Sequence, residues 1–464
     1  MFCIIQNISY FYFYVKQNGG MTVTQEWKSY MKSVFWLAMP IIIENTLQTL
    51  LGTMDTYFAG KLADQAIAGI GVTNLIMNIF ISFFTAVSVG TTVIVSHSYG
   101  RKDYVQINRA ITHSLAIGSA LGIFCSVLCG VGNTSILRIS GADRTVIEYA
   151  RPYFLIVVVP CIALCLQLIL SACLRAIKDT KTPMYVTGAA NVLNILLNIV
   201  FMKMGLGIFG LGLATTLSRG ISICILFWRV KNYDAHIRIS VCRLSKKEAG
   251  AILRIGMPAG FEKLIMRIGQ LVYNAMIISI GTAAYVAHQI AGSIENYSYI
   301  PSMGFGLAVC TLVGISLGEG NFQKAKEIPK AAYALSTGLI LLFSLVFFIF
   351  APQLAALFTK TKEIQKMVIE VLRIIALFQP FTFLVQIMTN ALQGAGETKF
   401  PMYLTLVGIW GIRIGVGYLL AVYFRLGLTG VWCAYALDVT VRGILLLRQF
   451  QKEPWKQKRN CHTA

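Results

Sequence analysis

The chain has 464 residues, of which 56% are hydrophobic and only 13% charged, with a formal net charge of +21. Soluble domains carry about 25% charged residues, and no soluble fold of this length hides so much apolar surface. A mean hydropathy of +0.68 agrees, so a soluble protein is excluded. Apolar runs such as 331–352 and 421–447 are long and do not alternate. A barrel strand needs about 10 residues of alternating polarity and a spanning helix about 20 apolar ones. The chain is therefore read as an all-α polytopic membrane protein. Twelve transmembrane helices are predicted, at 33–57, 68–96, 110–132, 152–174, 184–204, 208–229, 251–279, 287–316, 331–352, 370–392, 402–423 and 428–448.

Residues 1–32 form the expected cytoplasmic N-terminal segment. Its apolar start lacks basic residues and a small-residue cleavage site, which argues against a signal peptide. Met21 follows a Gly pair and precedes a polar stretch, so translation is expected to start there. Helix 1 carries Glu44 and Asp55, three turns apart on one face. A charge at mid-bilayer costs roughly 2.5–3.5 kcal/mol on insertion scales, so each needs a reason. Asp55 has no base within sequence reach, and such a carboxylate can bind Na⁺ or take a proton; it is the expected coupling residue, the other reading being a solvated residue at the helix end. Helix 5 places Asn191, Asn194 and Asn198 on one face. Three amides on an apolar helix need partners, either on other helices or in a polar pocket with Asp55. On helix 6, Thr215 and Thr216 offer hydroxyls, although Thr often bonds its own helix backbone.

A basic linker at 230–250 separates the N-lobe (33–229) from the C-lobe (251–448), which a basic cytoplasmic tail follows at 449–464. Helices 7, 8 and 11 add Glu262, Lys263, Arg267, Glu295 and Arg413 inside spans. Glu44, Glu262, Arg267, Glu295 and Arg413 are candidates for a substrate cavity or an internal polar network, in which Glu262 and Glu295 are expected to neutralise the bases of their lobe. Asp438 and Arg442, four apart on helix 12, are expected to pair. The eleven cysteines include no CxxC pair. Cys161 and Cys165 share a face, as small buried thiols in apolar helices do, and no metal or disulfide role is expected.

The halves repeat. A shift of 218 residues pairs Pro40 with Pro258, Glu44 with Glu262, Ser98 with Ser316 and Gly100 with Gly318. It also lays DTKTPMY (179–185) on ETKFPMY (397–403). After a two-residue insertion, LGIFGLGLA (206–214) falls on LGLTGVWCA (426–434). Six helices per half give both halves one membrane orientation, so these are parallel repeats, as alternating-access transporters use. Glu44 and Glu262, present in both copies, are expected to tie helices together, whereas Asp55 is matched by Tyr273. Gly100 and Gly318 are expected as C-caps of the second helix of each lobe.

Of the 40 Lys and Arg, 26 fall in segments on the side of the termini and 9 in the opposite loops. Positive residues favour the cytoplasm, which predicts both termini inside and makes the basicity topological rather than a sign of nucleic-acid binding. No Walker loop for ATP and no H-E-x-x-H cluster occurs. GISLG (314–318) fits a nucleophile-elbow pattern but ends a membrane helix, where the strand-to-helix turn that motif needs is missing. No enzymatic activity and no cofactor are expected, and the energy source is expected to be an ion gradient or a partner protein.

The segments 39–71, 283–321 and 430–450 resemble the multidrug and toxic compound extrusion (MATE) family, and the likeness spans about 30–450. The resemblance implies an antiporter of the multidrug/oligosaccharidyl-lipid/polysaccharide exporter superfamily, resident in the cell membrane and working on small organic molecules. Such proteins expel amphipathic, often cationic, compounds in exchange for Na⁺ or H⁺. It places the family's first-lobe cation site on Asp55, Asn194 and Thr215, with Na⁺ possible at Asp55. Many relatives have an aspartate where this chain has Asn198, which removes a negative charge from the site. Relatives with second-lobe sites use acids on helices 7 and 10; helix 10 here has only Glu370, at its outer end. The rival reading is a flippase for a lipid-linked cell-envelope precursor, using Lys263, Arg267 and Arg413 as a basic cavity.

Overall fold

A computed structural model describes residues 25–141, 143–234, 236–237 and 245–455; the expected start at Met21 lies outside them. Among the described residues, eleven unbroken helices and one bent pair are long and apolar enough to cross a membrane. They are α1 (Gln25–Gly60), α2 (Asp64–Gly100), α3 (Tyr104–Ile139), α4 (Arg144–Val157 and Cys161–Ala176), α5 (Lys181–Lys203) and α6 (Gly207–Lys231). In the second half come α7 (Lys246–Ile280), α8 (Thr282–Gly318), α9 (Phe322–Ile349), α10 (Lys362–Gly394), α11 (Lys399–Tyr423) and α12 (Gly427–Gln451). These are the twelve expected spans, most of them extended at their polar ends because a helix keeps its backbone hydrogen bonds as it leaves the bilayer; α9 instead stops at Ile349, short of the expected 352, and a separate short helix follows at Ala351–Phe358.

The chain forms two compact units. Of the described residues, the first comprises Pro40–Leu264 with Gly314–Gly320; the second comprises those up to Met39, Ile265–Val313 and those from Asn321 on. Repeat boundaries describe where the sequence duplicates, and compact units describe which residues pack together.

Breaks in the helices follow from proline chemistry. The two parts of α4 meet at 48°, with Pro160 just before the second. Proline has no N–H and its ring crowds the carbonyl four residues earlier, here Ile156. That carbonyl accepts from Thr216 Oγ1 at 2.7 Å. Pro380 in α10 leaves Ala376 O free in the same way, and Ser344 Oγ donates to it at 2.8 Å. Pro183 and Pro401 sit in the first turns of α5 and α11, where no N–H partner is needed.

Small residues set the close packing. Gly118 and Gly122 on α3 face the second part of α4, and a Cβ at Gly122 would lie 2.6 Å from Ile162 Cα. Cys125, Cys129, Cys161 and Cys165 are buried between these helices. Small side chains of this kind let membrane helices approach closely.

The role of Gly100 and Gly318 differs from the expected C-cap. Each is the last residue of its helix, as expected, but in helical conformation, and the two lie against each other: a Cβ at Gly100 would overlap Ile315 O, and one at Gly318 would overlap His97 O. The left-handed residue that ends each helix comes two positions later, at Lys102 (φ 58°) and Gly320 (φ 76°).

The two-residue insertion also has a structural form. α5 holds 23 residues and α11 holds 25, and α11 contains two π-helical segments, Val407–Val416 and Leu419–Tyr423. A π turn accommodates an added residue within an α-helix, so two such segments absorb two.

Candidate cation-coupling site

Within the first unit, α1 meets α4 through Glu44 and Asp55. Glu44 accepts from Arg175 Nη1 at 3.1 Å on each oxygen, and the pair is shielded from solvent. Three turns on, Asp55 Oδ2 accepts from the Tyr153 hydroxyl at 3.3 Å. One acid therefore has a permanent countercharge, and the other has only neutral donors.

Asp55 is the centre of a closed ring of hydrogen bonds. Thr215 Oγ1 donates to Oδ2 at 3.1 Å, and Asn198 Nδ2 reaches Oδ1 at 3.5 Å. Asn198 Nδ2 also donates to Asn194 Oδ1 at 3.0 Å, and Asn194 Nδ2 donates to Thr215 Oγ1 at 3.2 Å. Thr215 has one proton and two acceptors at equal distance, Asp55 Oδ2 and Leu211 O. The bond from Asn194 fills an acceptor site on the hydroxyl and leaves its proton for one of them. Asp55, Asn194, Asn198 and Thr215 are all buried, between 0% and 5% exposed, so the ring is dry.

The helical periodicity behind this is simple. Asn194 and Asn198 stand one turn apart on α5, and Thr215 faces them from α6. Asn191 also turns inward but is spent on the backbone of α1, donating to Leu47 O at 2.6 Å. Thr216 is absent from the ring because it serves Ile156 O.

Two residues complete the electrostatics. Tyr153 was not expected, because a tyrosine on a different helix has no sequence signal linking it to Asp55. Arg219 lies one turn beyond Thr215, half-buried, and its charge acts on both Asp55 and Tyr153. Among the described residues no basic nitrogen lies within 4.0 Å of Asp55. The carboxylate is thus attracted from a distance and paired with nothing. Asn198 Oδ1 is buried without a partner, and with the Asp55 oxygens and the Thr215 hydroxyl it supplies the hard oxygens an alkali cation takes. A proton needs Asp55 alone. Among the described residues no three His, Cys, Asp or Glu side chains converge as a metal site, so Asp55 supplies the ring's negative charge.

The other predicted polar residues are divided. Glu262 is buried in the first unit, while Arg267 is exposed in the second. The expected pairing of Asp438 with Arg442 forms, at 2.7 Å, and Arg413 joins it, with Nη2 2.7 Å from Asp438 Oδ2. The direct partner of Arg413 is therefore Asp438 rather than Glu262 or Glu295, and the Arg413 charge acts on Glu295 only from a distance. α12 brings Asp438 to the guanidinium, and Glu295 Oε1 instead accepts from Tyr435 OH at 2.6 Å.

Comparison with known proteins agrees with this architecture. The sequence profile of the MatE family matches residues 40–200 and 258–419. The protein named "Probable multidrug resistance protein NorM" of Thermotoga maritima is 29% identical over 92% of this chain and 93% of its own length. "Uncharacterized transporter YisQ" of Bacillus subtilis is 28% identical over 92% and 95%. Among solved structures, a MATE in the bent conformation superposes with a TM-score of 0.87 at 23% identity, covering 94% of this chain and 99% of that one. An outward-facing multidrug resistance MATE family transporter of the MOP superfamily gives 0.86 at 24%, covering 92% and 97%. With both repeats matched over their first five helices, the chain belongs to the MatE family of membrane transporters.

Proposed function

We propose that this protein exports amphipathic, often cationic, organic compounds across the cell membrane in exchange for Na⁺ or H⁺, by alternating access with both termini in the cytoplasm. The observation that carries the coupling is Asp55, a buried carboxylate held by three neutral donors with no ion-pair partner. Leaving an ionised carboxylate in a dry ring is costly. A bound proton or Na⁺ removes that cost, and either one competes with the donors now facing Oδ1 and Oδ2. Cation binding thereby changes the bonds that join α1 to α4, α5 and α6. If substrate prefers the opposite arrangement of these helices, cation and substrate exclude each other by linkage. The names of the relatives support multidrug compounds as the substrate class.

The flippase reading is weaker here, because Arg413 is already bound to Asp438 and a pyrophosphate would have to break that pair. The deciding experiment reconstitutes the purified protein in liposomes with ethidium, under an Na⁺ gradient and a pH gradient imposed separately. One gradient is expected to drive uptake, and Asp55→Asn is expected to abolish the driven component while leaving membrane insertion intact. Driven uptake at the wild-type rate in Asp55→Asn rejects the coupling assignment. If neither gradient moves ethidium, lipid-linked substrates become the next to test.

A further inference from the structure

The second unit has its own carboxylate cluster at the position that corresponds to the Asp55 ring. The shift of 218 residues puts Tyr273 at the place of Asp55, and the shift of 220 beyond the insertion puts Tyr435 at the place of Thr215. Neither mate is acidic, so by sequence the second lobe lacks a carboxylate there. The fold supplies one from elsewhere. Glu295, on α8, is hydrogen-bonded by Tyr435 OH at 2.6 Å, and its charge acts on Tyr273.

The surroundings of Glu295 are aromatic. Tyr435 packs edge-on against Trp432 at 5.1 Å between ring centroids; Trp432 meets His288 at 5.4 Å, and His288 meets Tyr273 at 5.6 Å. Tyr435 already carries one cation on its face, the Arg413 guanidinium at 4.4 Å. That guanidinium is held by Asp438, which also binds Arg442. Both bases thus hydrogen-bond the single carboxylate of Asp438 and neither touches Glu295, which the Arg413 charge reaches only from a distance. Glu295 Oε2 has no donor among the described residues, and the side chain is only half-buried. Two further polar atoms in the same chain of rings, His288 Nδ1 and Trp432 Nε1, are buried without partners.

We propose that Glu295 receives the positive charge of an organic cation, such as a protonated amine or a quaternary onium group, with the neighbouring aromatic rings taking its apolar body. The proposal rests on the exporter reading and adds to it the residue that meets the substrate's charge. A metal ion is a poorer occupant, because no second acid stands beside Glu295 free of a base and no metal-type cluster forms among the described residues. An organic cation brings its own apolar surface, needs one carboxylate, and gains from aromatic faces.

The test is equilibrium binding of ethidium, with tetraphenylphosphonium as competitor, to the purified full chain in detergent. The neutral dye Nile red serves as the control for an intact apolar pocket. Glu295→Gln keeps an oxygen acceptor for Tyr435 and removes only the charge. The expected result is about tenfold weaker ethidium binding with Nile red unchanged, the size of one lost hydrogen bond to a charged group, and partial rescue in Glu295→Asp. Unchanged ethidium affinity in Glu295→Gln overturns the proposal, as does equal weakening of both dyes. Wild-type protein that binds neither cation overturns the exporter reading as well, so the two failures are told apart. On wild-type protein, saturating ethidium is expected to protect Glu295 from dicyclohexylcarbodiimide, read by peptide mass; equal labelling with and without ethidium counts against the site even where a variant does not fold.

Discussion

At the scale of single residues, the Asp55 ring separates roles that look alike in the sequence. Thr215→Val keeps the volume but removes the donor to Asp55 and the acceptor for Asn194. It is expected to cut gradient-driven uptake at least tenfold, while passive ethidium binding stays within about twofold of wild type, because one buried hydrogen bond to a charged group is worth about 1.5–3 kcal/mol. Thr216→Val removes the bond to Ile156 O at the break in α4 and is expected to lower thermal stability rather than coupling. The pair, measured by uptake and by thermal unfolding in detergent, tests whether adjacent threonines have divided the work. Asn198→Asp puts a second carboxylate beside Asp55, where two like charges cannot both ionise cheaply. Uptake in that variant is expected to become steeper in Na⁺ or to shift in pH, and wild-type dependence on both would count against Asn198 as part of the site. The cost of an intramembrane charge made Asp55 legible in the sequence, and the three-and-four spacing made Asn194 and Asn198 legible. Tyr153 was not, because a tyrosine in an apolar span is unremarked until the helix carrying it is placed. The family resemblance favoured Thr215 over Thr216, and the physical reason came with Pro160, which frees the carbonyl that Thr216 serves.

At the scale of elements, length and hydropathy were enough to find the twelve spans, and the break in α4 was the feature they concealed. Packing between helices was less legible. Glycine in a repeated position admits two physical reasons, a left-handed turn or a close approach, and Gly100 and Gly318 belong to the second. Gly100→Ala is expected to destabilise by about 1–3 kcal/mol, the usual cost of an overpacked contact, because the added methyl meets a backbone carbonyl that cannot rotate aside. The left-handed position after α2 is occupied by Lys102, while its repeat mate is Gly320. Lys102→Gly is therefore expected to raise the melting temperature slightly, since a side chain there costs about 1–2 kcal/mol per residue, part of it offset by the freedom glycine loses on folding. Thermal unfolding of both variants in one detergent checks the two signs together.

At the scale of the whole chain, the excess of Lys and Arg in alternate segments predicts both termini in the cytoplasm. A fluorescent protein fused after residue 464 is expected to glow, and a periplasmic phosphatase fused there is expected to stay inactive; the reverse would overturn the assigned orientation. The duplication itself was plain in the sequence, but its consequence was not, because an ungapped comparison pairs Asp55 with Tyr273 and stops. The two π-helical segments of α11 explain why such a comparison is misleading. In a plain α-helix each added residue would turn the remainder by about 100°, at 3.6 residues per turn; the wide π turns take up the two added residues instead, so the alignment columns slip along α11 while its far end keeps its face. A duplicated bundle can in this way diverge by insertion as well as by substitution. One copy keeps its carboxylate on the first helix, and the other is free to recruit an acid from the second. For chains of this architecture, the productive comparison between halves is one of helix faces in space, with α11 allowed to slip, rather than of columns in an alignment.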